Sequence, residues 1–485
     1  MKTLPCLPLF SFALLLAPIL GAQQASSLRF NKGVIASVPP LPSKAFRKKL
    51  RMELMKKVGS GVILVRGAVR RPDYLTFLPS QSFFYLTGVR EPGCDLLLFP
   101  ETGKEILLIP PTNRFIEDWE GKGLRPGREG QEETGIQDVQ NGGRGSRKLL
   151  RLLKKTLANL KTKALWIEFD PETLAGSGLD NAGRALGQWR NDPLDGRKDR
   201  NQRLREALAQ QLPEVKINNV SPFLRRMRVI KRKEEIPTLA FAAQVATMGI
   251  AEAIKACRPG QREWELAAVA DYVFRRYGAW CQAYGPIVGS GPNGNVLHHW
   301  RINRVMQKGD LVVMDFAPII GGFAADVTRT FPVGGKFNAK TRKLVQDVYD
   351  AQQAILAIVR PGVSFGALSK VGRDLLIDRG YKPGINIKHG PSHHLGMAVH
   401  DVTAGGDSYV LKEGMVITVE PGAYLGKEGM GCRIEDDILV TKDGYLLLSA
   451  GCPSDPDGIE ALMKQEGMAK VPLGAGGGGP VQPKK

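Results

Sequence analysis

The chain has 485 residues, more than one core of ordinary size needs, and its 43% hydrophobic composition is ample for two globular domains. A formal net charge of +20 raises nucleic acid as a partner, but the basic residues are scattered or in short clusters, such as Arg47-Lys48-Lys49 and Lys231-Arg232-Lys233, with no interleaved aromatics. That pattern speaks against nucleic acid and for a soluble basic surface, with salt-sensitive attraction to an anionic cell envelope as a further hypothesis.

Residues 1–22 read as a signal peptide. Lys2 precedes an apolar run from Leu7 to Leu20, and Gly21-Ala22 offers small residues for cleavage. The run is short for a membrane span and contains Pro8 and Pro18, and no later segment reads as long and apolar enough to cross. The mature chain is therefore expected to be periplasmic or secreted. Export permits disulfides, yet Cys94, Cys257, Cys281, Cys432 and Cys452 are odd in number and lack paired spacing, so at least one is free or pairs between chains.

The fold class read from the pattern is α/β (α+β). Residues 42–225 alternate buried strand-like runs, Val62-Ile63-Leu64-Val65 and Asp95-Leu96-Leu97-Leu98-Phe99, with helical stretches such as 148–160, which predicts a mixed α/β domain. Within it 121–147 and 188–200 read as loops. A second domain, 228–462, carries an internal repeat. Lys308-Gly309-Asp310-Leu311-Val312-Val313-Met314-Asp315 aligns without gaps on Glu413-Gly414-Met415-Val416-Ile417-Thr418-Val419-Glu420, and Arg258-Pro259-Gly260 is matched by Arg360-Pro361-Gly362. Two pseudo-symmetric halves are expected, each bringing an acidic pair to a central site. Residues 467–485, with Gly474-Ala475-Gly476-Gly477-Gly478-Gly479-Pro480, read as a disordered tail.

All six histidines fall in two stretches of this second domain, His298 and His299 in one and His389, His393, His394 and His400 in the other. Beside them stand carboxylates at the ends of apolar strands. Asp315 and Asp326 flank Ile320-Gly321-Gly322, and a hairpin centred between Ile320 and Gly321 would place the two carboxylates opposite each other; centring on Gly321-Gly322 would shift that pairing. Glu420 and Glu435 occupy comparable places in the other half. Four buried carboxylates balance two divalent ions, His393 or a neighbour can complete a coordination sphere, and such ions activate water near neutral pH. Other motifs fail on context. His389-Gly390-Pro391-Ser392-His393 lacks the glutamate and the helix of a zincin, and Gly289-Ser290-Gly291-Pro292-Asn293-Gly294 opens no helix for a pyrophosphate. No nucleophile-elbow serine lies near the histidines.

Taken together, these segments resemble the pita-bread metallopeptidases, the family of methionine aminopeptidase, prolidase and aminopeptidase P, over 228–462. Ser82-Phe83-Phe84-Tyr85-Leu86-Thr87-Gly88 resembles the amino-terminal domain of the proline-specific members, a likeness that weakens after Trp119. The resemblance implies metal ligands Asp315, Asp326, His393, Glu420 and Glu435. It also implies that His298, His389 and His400 orient substrate, stabilise the oxyanion and move protons, that Glu420 acts as general base, and that Arg433 supports the carboxylates. No family role transfers to His299 or His394, for which packing or support of neighbours is expected. The family commonly has glycine two residues after the first aspartate, where this chain has Ala317-Pro318. The implied function is an exported dinuclear aminopeptidase acting on peptides with proline second, using two divalent ions, with Mn²⁺ expected from the oxygen-rich site. An Xaa-Pro dipeptidase is the alternative, and a non-catalytic peptide-binding protein the more distant one. The residues leave open whether copies associate as a homo-oligomer.

Overall fold

The computed structural model describes residues 38–71, 74–174, 176–402 and 408–468, so the expected leader and all but the start of the expected tail lie outside the described residues. The amino-terminal lobe is built on six strands: β1 (Val62–Arg66), β2 (Asp95–Phe99), β3 (Lys104–Ile109), β4 (Asp138–Asn141), β5 (Ala164–Ile167) and β6 (Lys216–Asn219), in the order β4-β3-β2-β1-β5-β6. β1 pairs antiparallel with β2 and parallel with β5, so the two most apolar runs lie at the centre, buried on both faces. The helix Arg147–Asn159 repeats leucine every fourth residue and packs Leu149, Leu153 and Leu157 into the core over this sheet. The stretch 121–147 is less irregular than its sequence suggests, because it holds the helix Arg128–Thr134 and β4. An edge strand of four residues with a single apolar one, Val139, gives no apolar alternation to detect. The stretch 188–200 likewise begins inside the helix Leu179–Asn191.

The catalytic half follows the repeat. The helices Ile236–Ala256 and Glu263–Arg276 are matched by Ala339–Ile358 and Phe365–Asp378, and the turn between the members of each pair carries a glycine at φ 90°, Gly260 and Gly362. The strands are β7 (Cys281–Gln282), β8 (Ile287–Ser290), β9 (Leu311–Asp315), β10 (Pro318–Ile320), β11 (Phe323–Ala324), β12 (Thr328–Pro332), β13 (Val416–Val419), β14 (Gly422–Leu425), β15 (Met430–Arg433), β16 (Asp436–Val440) and β17 (Tyr445–Leu447). The aligned strands β9 and β13 are entered identically: Gly309 at φ 91° donates its N–H to Val333 O (3.0 Å), and Gly414 at φ 85° donates to Val440 O (2.9 Å). Only glycine enters this region without strain. The halves join where Thr328 and Glu435 exchange backbone hydrogen bonds, at 3.4 and 3.1 Å.

The hairpin between the first acidic pair corrects one expectation. Gly321 (φ 60°) and Gly322 (φ 85°) form its two-residue loop, so Ile320 pairs with Phe323, and Asp315 lies opposite Thr328 rather than Asp326. Two successive positive φ values define a type I′ turn, whose twist suits the flanking strands. Asp326, two residues from Thr328 and just before β12, becomes a diagonal neighbour of Asp315. Ala317-Pro318 leaves the register intact: Pro318 starts β10, where a missing N–H is tolerated, and its carbonyl accepts from Ala325 N.

A second correction concerns hydropathy. The helix Ile236–Ala256 reaches a mean hydropathy of 1.2 and is long enough to cross a membrane, but 78% of that window is buried in the protein. It is a core helix. The five described cysteines are all free, and four are buried.

The two entry glycines differ in surroundings. A Cβ on Gly309 meets nothing within 4 Å, whereas one on Gly414 would lie 2.8 Å from Ile230 Cγ2 and 3.1 Å from Lys231 O. Gly309→Ala should cost about 1 kcal/mol, from backbone conformation alone. Gly414→Ala should cost clearly more in urea unfolding, and equal losses would contradict the packing difference.

Candidate active site

The second half brings its ligand candidates together by backbone pairing. Residues 391–395 run alongside β13, with Thr418 N donating to His393 O (2.9 Å) and Glu420 N to Pro391 O (2.8 Å). His393 Nε2 therefore lies 3.5 Å from Glu420 Oε1, 3.4 Å from Asp326 Oδ2 and 3.9 Å from Glu435 Oε1. One ligand atom each of Asp326, His393 and Glu435 falls within 4.8 Å of the others. Asp315 joins through Tyr284, whose hydroxyl bridges Asp315 Oδ1 and Asp326 Oδ1, the latter at 2.6 Å. Arg433 Nη2 donates to Asp315 Oδ2 at 2.5 Å, and Thr328 Oγ1 donates to Glu435 Oε2 at 2.7 Å.

Concentrating these carboxylates has an electrostatic cost. Burial, then Asp326 and Glu420, push Glu435 well above the usual carboxylate range. Burial raises Glu420 to about 7 against the pull of His393 and Arg433, and burial raises Asp315 despite Arg433. Asp326 goes the other way: burial opposes its charge, but the hydrogen bond and charge of His393 hold it below its ordinary value. His393 answers in kind. Burial disfavours its imidazolium, yet Asp326 and Glu420 raise it to about 9. A proton on His393 thus supplies positive charge to a carboxylate cage.

The remaining histidines separate by environment. His389 donates from Nδ1 to Gly390 O (2.9 Å), accepts at Nε2 from the Tyr424 hydroxyl (2.9 Å), and stands 3.6 Å from Glu420 Oε2. Burial, then Arg433, lowers it to about 4, so it is neutral at physiological pH. Arg433 Nη1 also donates to the Tyr424 hydroxyl (2.9 Å). The His400 ring lies 4.3 Å from that of His393, centroid to centroid, and its Nδ1 pairs with Asp180 Oδ2 at 2.9 Å. Desolvation lowers the pKa of His298, on which Asp315, Arg433 and His400 act next. His299 instead pairs with buried Glu263 (3.3 Å), which also accepts from Ser290, Asn293 and Arg304 N. His394 is packed against Phe365 and Tyr409 with both ring nitrogens unpartnered. Both therefore support structure. Tyr284, Thr328, Tyr424 and Asp180 went unassigned in the sequence. Thr328 stands two residues after the ligand candidate Asp326, but nothing local marks the other three.

Residues 238–442 match the model of metallopeptidase family M24, and residues 47–160 match the aminopeptidase P N-terminal domain. The chain is 30% identical over 421 residues to Xaa-Pro aminopeptidase 3 of Homo sapiens, covering 80% of this chain and 77% of that protein. This chain belongs to the pita-bread metallopeptidases, in the aminopeptidase P branch. It is 37% identical over 270 residues to the Xaa-Pro aminopeptidase of Escherichia coli strain K12, a match spanning 50% of this chain and 61% of that protein. Its structure superposes on zinc-substituted E. coli aminopeptidase P in complex with product with a TM-score of 0.72 and 28% identity, covering 87% of this chain and 99% of that one. The chain is thus a metallo-aminopeptidase, and its donor set fits divalent ions: oxygen-dominated, buried, short of positive charge and completed by one imidazole.

The proton on His393 predicts how metal uptake depends on pH. Its pKa is raised from 6.5 to about 9, so the stabilisation it gives the ion-free fold is full below about 6.5 and is lost as pH rises through about 9. A divalent ion competes with that proton. Binding of Mn²⁺ or Zn²⁺ should therefore release protons and tighten by up to about tenfold per pH unit between about pH 6 and about pH 8. Calorimetry in buffers of different ionisation enthalpy measures both quantities. A pH-independent affinity with no proton release would show that the ion does not displace the proton on His393.

Proposed function

We propose that the mature chain is an exported two-metal aminopeptidase that hydrolyses the bond between an N-terminal residue and a following proline. The observation that carries this reading is the convergence of Asp326, Glu420 and Glu435 on His393, with Asp315 joined to Asp326 through Tyr284 and with His389, His400 and Arg433 arranged around them. Asp315, Asp326, His393, Glu420 and Glu435 are the proposed ligands, and Mn²⁺ is the proposed ion because four of the five donors are carboxylates. Two divalent ions in that cage supply Lewis acidity and an activated water near neutral pH.

The chain's own residues do the rest. Glu420, 3.5 Å from His393 Nε2 and 3.6 Å from His389 Nδ1, stands between the carboxylate cage and a substrate-orienting histidine and serves as general base. His389 is neutral and oriented by Tyr424 and Gly390, which lets it position substrate without adding charge. Arg433 fixes Asp315 and Tyr424 together, holding one carboxylate in place from both sides of the site. His298 and His400 are the proposed residues that stabilise the oxyanion and carry protons, the roles the family resemblance implies. Export follows from the expected leader, which predicts a mature N-terminus at Gln23 in the periplasmic or secreted fraction.

Hydrolysis of Xaa-Pro-Xaa tripeptides and Xaa-Pro dipeptides by the metal-stripped protein, before and after Mn²⁺, tests the activity. Metal-restored release of the first residue from tripeptides is expected, while activity confined to dipeptides would assign a prolidase. Asp326→Ala should lose at least about a hundredfold in metal affinity and in rate. Undiminished hydrolysis in that variant would sink the metal mechanism.

A further inference from the structure

His400 is held by a residue from the other lobe. Asp180, at the start of the helix Leu179–Asn191, places its Oδ2 2.9 Å from His400 Nδ1, across 220 residues of sequence. The approach is built in at several points. Gly176 N donates to Met397 O (2.9 Å) and Val399 N donates to Gly176 O (3.3 Å), so backbone pairing fixes the loop before the helix onto the segment that leads to His400. Gln81, 2% exposed, donates from Nε2 to Leu174 O and Ser177 O, both at 2.8 Å, and its Oε1 accepts from Thr173 and Arg228. Gly178 completes the fit. A Cβ there would lie 2.4 Å from Asp180 Oδ1, 3.0 Å from His400 O and 3.1 Å from His400 Cβ, so a larger residue would drive the helix start away from the histidine.

The backbone on the far side of His400 is fixed separately. Asp401 is bound by Arg228, and its N–H donates to His394 O at 2.9 Å. The histidine backbone is therefore secured by the catalytic half, and what Asp180 adds is control of the ring. A carboxylate accepting from Nδ1 selects the Nδ1–H tautomer and leaves Nε2 as the nitrogen free to meet a substrate.

We propose that Asp180 is a positioning residue for His400, holding the ring in the tautomer whose Nε2 acts on substrate and so making correct docking of the amino-terminal lobe a condition of turnover. The claim about the ring stands on geometry, and its consequence for turnover rests on the peptidase reading above. The test uses the zinc-loaded protein labelled with ¹⁵N-histidine, with the His400 signals assigned against His400→Gln, and in parallel kinetics of the Mn²⁺-loaded enzyme on an Xaa-Pro tripeptide.

In the native protein His400 should show the Nδ1–H pattern. Asp180→Ala should shift it toward a mixture of tautomers and lower kcat about 10- to 100-fold, with KM changed by less than about threefold. Asp180→Asn retains an oxygen that can accept the hydrogen and should recover part of both. A native-like tautomer and kcat in Asp180→Ala would overturn the proposal. If circular dichroism shows that variant misfolded, the near-isosteric Asp180→Leu, which has no acceptor, decides, because an Nδ1–H pattern and kcat both indistinguishable from native would overturn the proposal. A native protein inactive on every Xaa-Pro peptide would remove the peptidase reading, and the tautomer comparison would still decide the assignment of Asp180.

Discussion

Four buried carboxylates that repel one another set the terms for the catalytic half. Asp315, Asp326 and Glu435 are almost wholly shielded from water, and Glu420 retains only modest exposure. Removing such charges from water costs several kcal/mol each unless partners compensate. The protein compensates incompletely. Arg433 is committed to Asp315, and Arg329, 2% exposed, spends its donors on Asp436 and on the carbonyls of Thr328, Glu435, Cys452 and Pro453. Arg329 therefore fixes the backbone that carries Glu435 rather than neutralising its carboxylate. What remains is a cage that draws a proton onto His393 and whose chemistry is completed by cations.

The repeat solves the problem of holding that cage rigid. One strand design, entered through a glycine at positive φ and ended by a carboxylate, is used in each half, and the halves are tied by the Thr328–Glu435 backbone exchange and by the Thr328 hydroxyl on Glu435 Oε2. Ligand positions on paired backbone are more exact than positions on free loops. The segment carrying His393 obeys the same logic, being a loop that becomes strand-like only where it runs beside β13.

How much was legible in the sequence follows from the range of each interaction. Strand ends and the repeat are local patterns, and they pointed to the four carboxylates, whereas His393 was singled out among the histidines only by the family resemblance. The hairpin loop was centred one residue early, yet the face was right, because residues two apart on a strand share a face and Asp326 remained on the same side as Asp315 after the shift. Tyr284 was invisible for a different reason. It follows a two-residue strand and reaches Asp315 and Asp326 from 31 and 42 residues away, with no motif around it. The helix Ile236–Ala256 is long and apolar enough to cross a membrane, which the sequence reading overlooked, and only the fold shows that protein covers it.

The amino-terminal lobe shows most clearly how likeness and contribution to the site can part company. The segment 82–88, which carries a family likeness in that lobe, secures the junction between lobes: the Tyr85 hydroxyl donates to Met227 O at 2.9 Å and accepts from Arg232, and Phe84 packs edge-on to Trp280. None of these contacts touches a ligand candidate. The amino-terminal domain match runs past Trp119 to residue 160, further than the sequence reading expected, and Asp180, which reaches His400, lies beyond its end. A buried junction restricts many side chains at once through packing and hydrogen bonding, whereas a single carboxylate against one histidine needs only a loop of the right length and a glycine with no Cβ beside it. The first leaves a readable sequence trace, and the second is two residues that only the folded chain brings into register.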